Sequence, residues 1–215
     1  MCDGVMRTWS IDGKRHREYD LPAVIHSTGS REWFQHGRMH RDHGRPASIH
    51  YIDRLTWYQY GQTHRDYDRP AIISHDSSRH WYQHSKQHRD HDRPASMLLG
   101  ERLTWYQHGQ IHRDHDRPAF IFPFRTSAWF QHGQLHRDHG RPAIADYDGG
   151  RQWFQHGEPH RDCDRPAAIY NKGDCVWYRR GITHRDHNRP ASIHQFGGRE
   201  WYKRGYSSIA RTRDG

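Results

Sequence analysis

The chain has 215 residues, a net charge of +9, 32% hydrophobic and 13% aromatic residues. So low an apolar content excludes one large globular core, and no apolar run approaches the ~18 residues that a transmembrane helix needs. Disorder, the ordinary outcome of such polarity, is excluded by the placement of the aromatics, because a disordered chain has no use for aromatics in register.

Residues 1–8 are a short lead-in without the apolar stretch of a signal peptide. From there nine tryptophans recur every 24 residues, at Trp9, Trp33, Trp57, Trp81, Trp105, Trp129, Trp153, Trp177 and Trp201, and none lies outside that register. A fixed period of this length signals a repeat array, in which small units share a thin core with their neighbours. The expected organisation is a single repeat domain over 1–215, with eight 24-residue repeats over 9–200 and a partial ninth repeat with a C-terminal cap over 201–215. The nine tryptophans are its expected structural ladder.

Positions are counted from each Trp as zero. Position +1 is Tyr or Phe except for Ser10, and +4 is Gly except for Ser85. Glycine fixed behind an aromatic pair predicts a turn with positive φ. His at +7 and Arg at +8 occur in all eight repeats, from His16-Arg17 to His184-Arg185, as do Pro at +13 and Ala at +14, from Pro22-Ala23 to Pro190-Ala191. Gly29, Gly149, Gly173 and Gly197 then mark a second turn before the next Trp. Each repeat is read as two short strands, one through R-E-W-F-Q and one through P-A-S-I-H, joined by turns at both ends. Glycine and proline leave no window long enough for a helix. The predicted fold is all-β, an elongated ribbon or solenoid of stacked two-stranded antiparallel hairpins.

This pattern resembles the MORN repeat, a unit of an aromatic, an Asn-Gly turn and a following His. Tyr106 stands at the family's aromatic, His108-Gly109 at its turn and His112 at its His. The match recurs in every complete repeat, with Arg in place of the Gly after His, D-x-D-R-P-A in place of the glycine-rich segment, and a period of 24. The chain is similar to divergent repeat proteins of large amoeba-infecting DNA viruses and of some bacteria. The resemblance implies a β-hairpin ribbon with a scaffold or tethering role and, for a viral chain, a place in the virion.

The chemistry of the repeat was weighed against its structural use. His-Arg-Asp occurs seven times but lacks the phosphate loop, the D-F-G and the strand lysine of a kinase. One active site needs a unique constellation, so no catalytic residue and no cofactor is expected. H-R-D-x-D-R-P-A reads as a charge ladder, with Arg at +8 or +12 meeting Asp at +9 or +11 of the same or the next repeat. His108, His112 and His115 could converge on a metal, yet their positions drift to Tyr60, Tyr67, Cys163 and Arg180 elsewhere, so hydrogen-bonding histidines and no metal are expected. Cys2, Cys163 and Cys175 occupy unrelated repeat positions, which fits a reducing, intracellular and cytoplasmic setting.

From Trp177 to Gly215 there are nine Lys or Arg against three Asp or Glu. Arg179, Arg180, Arg199, Lys203, Arg204 and Arg211 are the candidate binding residues of this basic end. The expected function is a non-enzymatic scaffold for protein partners, such as the structural proteins of a virus particle. The alternative is a polyanion-binding module for nucleic acid or an acidic membrane surface.

Overall fold

The computed structural model describes residues 6–123, 125–203 and 206–208, with side chains for all but Lys203 and the last three of these. Every regular element among them is a β-strand of two to five residues, so the chain is all-β, as expected. It divides into two compact units, Met1–Gln110 and Ile111–Gly215, each a ribbon of stacked hairpins. No helix among the described residues is long and apolar enough to cross a membrane.

A repeat holds four short strands where the sequence suggested two. Around the second tryptophan these are Arg31–Glu32, just before it, then Phe34–Gln35, Arg38–Met39 and Ser48–Ile49. The first and last of each repeat join a continuous antiparallel sheet. In the first unit it runs from Arg7–Thr8 through Val24–Ile25, Arg31–Glu32, Ser48–Ile49 and Leu55–Thr56, then on to Arg102–Thr104. In the second it runs from Phe120–Phe122 to Arg199–Lys203 and Tyr206–Ser208. The middle two strands close on themselves, with Phe34 opposite Met39 and Gln35 opposite Arg38.

Tryptophan is where the predicted first strand breaks. The Trp33 N–H donates to the Ala47 carbonyl at 2.8 Å, while the Trp33 carbonyl accepts from the His40 N–H at 3.1 Å. One residue thereby bonds both to the sheet strand and to the return of the small hairpin, so it belongs to neither. Trp9, Trp57, Trp81, Trp129, Trp153 and Trp177 make the same two bonds, to the Ala at +14 and from the His at +7. At the last tryptophan, Trp201, Arg199–Lys203 runs through unbroken. Neighbouring small hairpins are stitched by single backbone bonds, such as Gly61 N–H to the Met39 carbonyl at 2.8 Å and Gly133 N–H to the Ile111 carbonyl at 2.9 Å.

The turn predicted at +4 is a two-residue hairpin turn with both central residues at positive φ: 49° at His36 and 82° at Gly37. That is the type I′ geometry whose twist matches paired strands. A further turn, not anticipated, lies at +10 and +11, where His115 and Asp116 have φ of 62° and 53° and His139 and Gly140 have 60° and 65°.

The core is thin and nearly identical from repeat to repeat. All eight alanines at +14, from Ala23 to Ala191, are fully buried, and Trp33, Trp57, Trp81, Trp105, Trp153 and Trp177 are buried beside them. Trp9, Trp129 and Trp201 are half-buried. A tryptophan removes on the order of 200 Å² from water, worth at most about 5 kcal/mol, which is how so polar a chain sustains a core. Because the methyl at +14 is fully enclosed, Ala95→Val is expected to cost about 1–3 kcal/mol by overpacking. Leu99→Ala, at a residue 75% exposed, is expected to stay within about 0.5 kcal/mol. Urea unfolding midpoints of the two variants check this, and equal midpoints would refute a close-packed core.

Candidate functional site

The polar residues of H-R-D-x-D-R-P-A converge at each step between repeats. Arg at +8 lies over the indole of its own repeat, with the guanidinium carbon 3.7 Å from the ring centre for Arg137 over Trp129 and 3.8 Å for Arg41 over Trp33. Its Nη1 donates to the carbonyl of the Pro at +13, as Arg137 does to Pro142 at 3.2 Å. The remaining edge of the fork reaches into the preceding repeat. Arg137 Nε and Nη2 donate to the two oxygens of Asp116 at 2.6 and 3.1 Å, and Arg141, at +12, donates to the same carboxylate. The bidentate fork repeats at Asp20 with Arg41, Asp68 with Arg89 and Asp164 with Arg185.

The indole N–H completes this junction. Trp129 Nε1 donates to the backbone carbonyl of Asp116 at 3.0 Å, and seven other tryptophans make the same bond to the residue thirteen positions earlier. The tryptophan ladder is therefore a ladder of bonds between repeats as well as of buried rings. The turn at +10 and +11 presents both carboxylate and carbonyl to the next repeat, which is why +11 is only ever Asp, Gly or Asn. These residue types tolerate the left-handed conformation. Sequence reasoning named the Arg–Asp ladder but looked for the carboxylate in the same or the next repeat, whereas it lies in the preceding one; the restriction at +11 was the visible signal of this turn.

Asp at +9 does something else. Asp138 Oδ1 accepts from His136 Nε2 at 3.0 Å and its Oδ2 from Gln131 Nε2 at 3.3 Å, both within one repeat. The imidazole's other nitrogen accepts the backbone N–H of the next repeat, His156 to His136 Nδ1 at 3.1 Å. Every member of this chain is satisfied only by the neutral Nε2–H tautomer. The ring also stacks on the +3 ring of the next repeat, with centroids 4.5 Å apart for His136 and His156 and for His40 and Tyr60. The histidines thus act as hydrogen-bonding ladder residues. Among the described residues no three His, Cys, Asp or Glu side chains come together as a metal site, and Cys163 and Cys175 are free thiols.

At the basic end one candidate cation, Arg179, and two further arginines already have anionic partners. Arg179 pairs with Asp186 at 3.0 Å, while Arg185 and Arg189 share Asp164. Arg180 and Arg199 are exposed, with Arg180 in the left-handed +3 position of its hairpin. The Lys203 side chain, Arg204 and Arg211 lie outside the described residues.

The fork from Arg at +8, reinforced by Arg at +12 and opposed by partial burial, holds the carboxyls of Asp20, Asp68, Asp116 and Asp164 below their ordinary value of 3.8. A depressed folded value means this stabilisation is complete above the unfolded value and is lost as pH falls through the folded one. The ribbon is therefore expected to lose stability progressively as pH falls below about 4. Asp116→Asn is expected to cost about 1 kcal/mol at neutral pH and to flatten part of that acid limb. Urea midpoints measured across this range for both proteins are the check, and parallel pH profiles would count against the junction.

No family model matches this chain, and no curated protein matches it.

Proposed function

We propose that the chain is a non-enzymatic scaffold, a repeat protein that presents a regular polar surface to protein partners. One observation carries the reading: the residue types able to do chemistry are repeated in register and engaged with one another. Imidazoles at +7 such as His136 hold a carboxylate and a backbone N–H, and the guanidiniums at +8 hold an indole, a carbonyl and, at most steps, a carboxylate. A nucleophile or general base needs a free reactive atom in a unique setting. A lattice of groups engaged with one another at most steps gives rigidity and an even surface instead.

The resemblance of the repeat to the MORN unit supports a tethering or assembly role, within the cytoplasm and, for a viral chain, in the particle with its structural proteins. Binding of nucleic acid or an acidic membrane surface is the second reading. It is favoured by the exposed Arg180 and Arg199 and weakened by the carboxylates already paired with Arg179, Arg185 and Arg189.

Cross-linking mass spectrometry on native source material, after low-salt and high-salt washes, separates the two. A protein neighbour retained at high salt and cross-linked along several repeats is the expected result. Release by salt together with nucleic acid or lipid, as counterion competition dictates for polyanion binding, would sink the scaffold reading.

A further inference from the structure

Within the two units, six junctions between repeats can be laid side by side. Four carry Asp at +11, namely Asp20, Asp68, Asp116 and Asp164, and each of those carboxylates receives the fork of the next repeat's +8 Arg together with its +12 Arg. Two carry glycine, Gly44 and Gly140. There the donors are kept and the acceptor is not. Arg65 and Arg161 hold the common pose, 3.7 Å over Trp57 and 3.6 Å over Trp153, with Nη1 on the carbonyls of Pro70 at 3.1 Å and Pro166 at 3.2 Å.

The Nε–H of Arg65 and that of Arg161 are buried without a hydrogen-bond partner. Leaving a charged donor desolvated and unpaired is costly. A second guanidinium adds to the cost, since burial first and then the charge of Arg69 push the Arg65 guanidinium below its ordinary value, and Arg165 does the same to Arg161. Space is at hand as well: a Cβ built on Gly44 or on Gly140 meets nothing within 4 Å. A groove of about 460 Å³ opens over the first junction, lined by Gly44, Trp57, Tyr60, Arg65, Tyr67 and Arg69 among others.

We propose that Gly44, Arg65 and Arg69 form a receptor site for a carboxylate anion, and Gly140, Arg161 and Arg165 a second one. The incoming carboxylate takes the place that an Asp side chain fills at the other junctions, with Nε and Nη2 of the +8 Arg on its two oxygens and the +12 Arg against one of them. The ligand class follows from geometry. At Asp20, Asp68, Asp116 and Asp164 the same fork holds a planar two-oxygen group at 2.6–2.8 Å and 2.9–3.1 Å, the side-on match for which guanidinium is suited. A free carboxylate and the acidic side chain of a partner protein offer the same group.

The test follows the arginine Nε–H resonances of the full-length protein as sodium acetate replaces sodium chloride at constant ionic strength. Saturable shifts are expected at Arg65 and Arg161, with none at Arg41, Arg89, Arg137 or Arg185. Gly44→Asp installs the internal carboxylate at a position whose counterparts Asp20, Asp68, Asp116 and Asp164 already adopt positive φ, so it is expected to fold. It should weaken acetate at Arg65 by about tenfold or more while leaving Arg161 responsive, and Gly140→Asp should do the reverse. A blocked glutamate peptide that binds at least about tenfold tighter than acetate assigns the sites to a partner's acidic side chain, whereas equal affinity assigns them to free carboxylates. Non-saturating shifts, equal shifts at every fork, a response that survives Gly44→Asp, or saturation by inorganic phosphate but not by acetate would each overturn the proposal.

Discussion

The structure depends on one side chain placed between two repeats. Arginine at +8 is charged, planar and amphipathic, and each of those properties is used. Its face covers the indole of its own repeat, one nitrogen closes that repeat's loop on the proline carbonyl, and its free edge grips the carboxylate of the repeat before it. Lysine could not reproduce this, because an ammonium has neither the flat face nor the fork. Cation–π attraction is strengthened where the pair is shielded from water, and the 14% side-chain exposure of Arg41 provides that shielding. Tryptophan fills the core, but the arginine on its upper face is what turns a row of rings into an ordered stack.

Much of this was legible in the sequence, for a physical reason. Period and strand content follow from residues whose geometry is demanding: the Gly at +4 for a turn of positive φ, the Trp for burial, the Ala at +14 for a place with no room. The break at tryptophan was not legible, because a strand reading of R-E-W-F-Q assumes that pairing partners lie on one line. Here Trp33 bonds forward to His40 and across to Ala47, and neither bond has a local signature. At Trp201 the strand does run straight through the tryptophan, over Arg199–Lys203.

The charge ladder was legible in kind and not in detail. Two aspartates two residues apart look alike in sequence, yet the +9 carboxylate serves the histidine and glutamine of its own repeat, as Asp138 does, while the +11 carboxylate serves the next, as Asp116 does. What separates them is backbone conformation: the left-handed pair at +10 and +11 turns the second aspartate outward along the stack. A position restricted to Asp, Gly and Asn tells a reader that the backbone decides, and it makes the two glycines exchangeable for aspartate in conformation while lacking its charge. Two departures in an otherwise uniform lattice are thereby conspicuous in a way that a single unusual residue in an irregular protein never is.

The bonds that join one repeat to the next all connect residues a short and constant distance apart along the chain. The indole spans 13 residues, the imidazole 20, the guanidinium fork 21 and the second arginine 25. None grows with the number of repeats. The loop-closure entropy of docking each repeat is therefore the same at every step, and contact order stays low however long the ribbon becomes. Folding can start on any neighbouring pair and spread by identical increments. The same property makes the gene's natural unit of change 24 codons: a repeat gained or lost by duplication or deletion leaves the spacing across every junction unchanged, and ribbon length can evolve without redesign of the core.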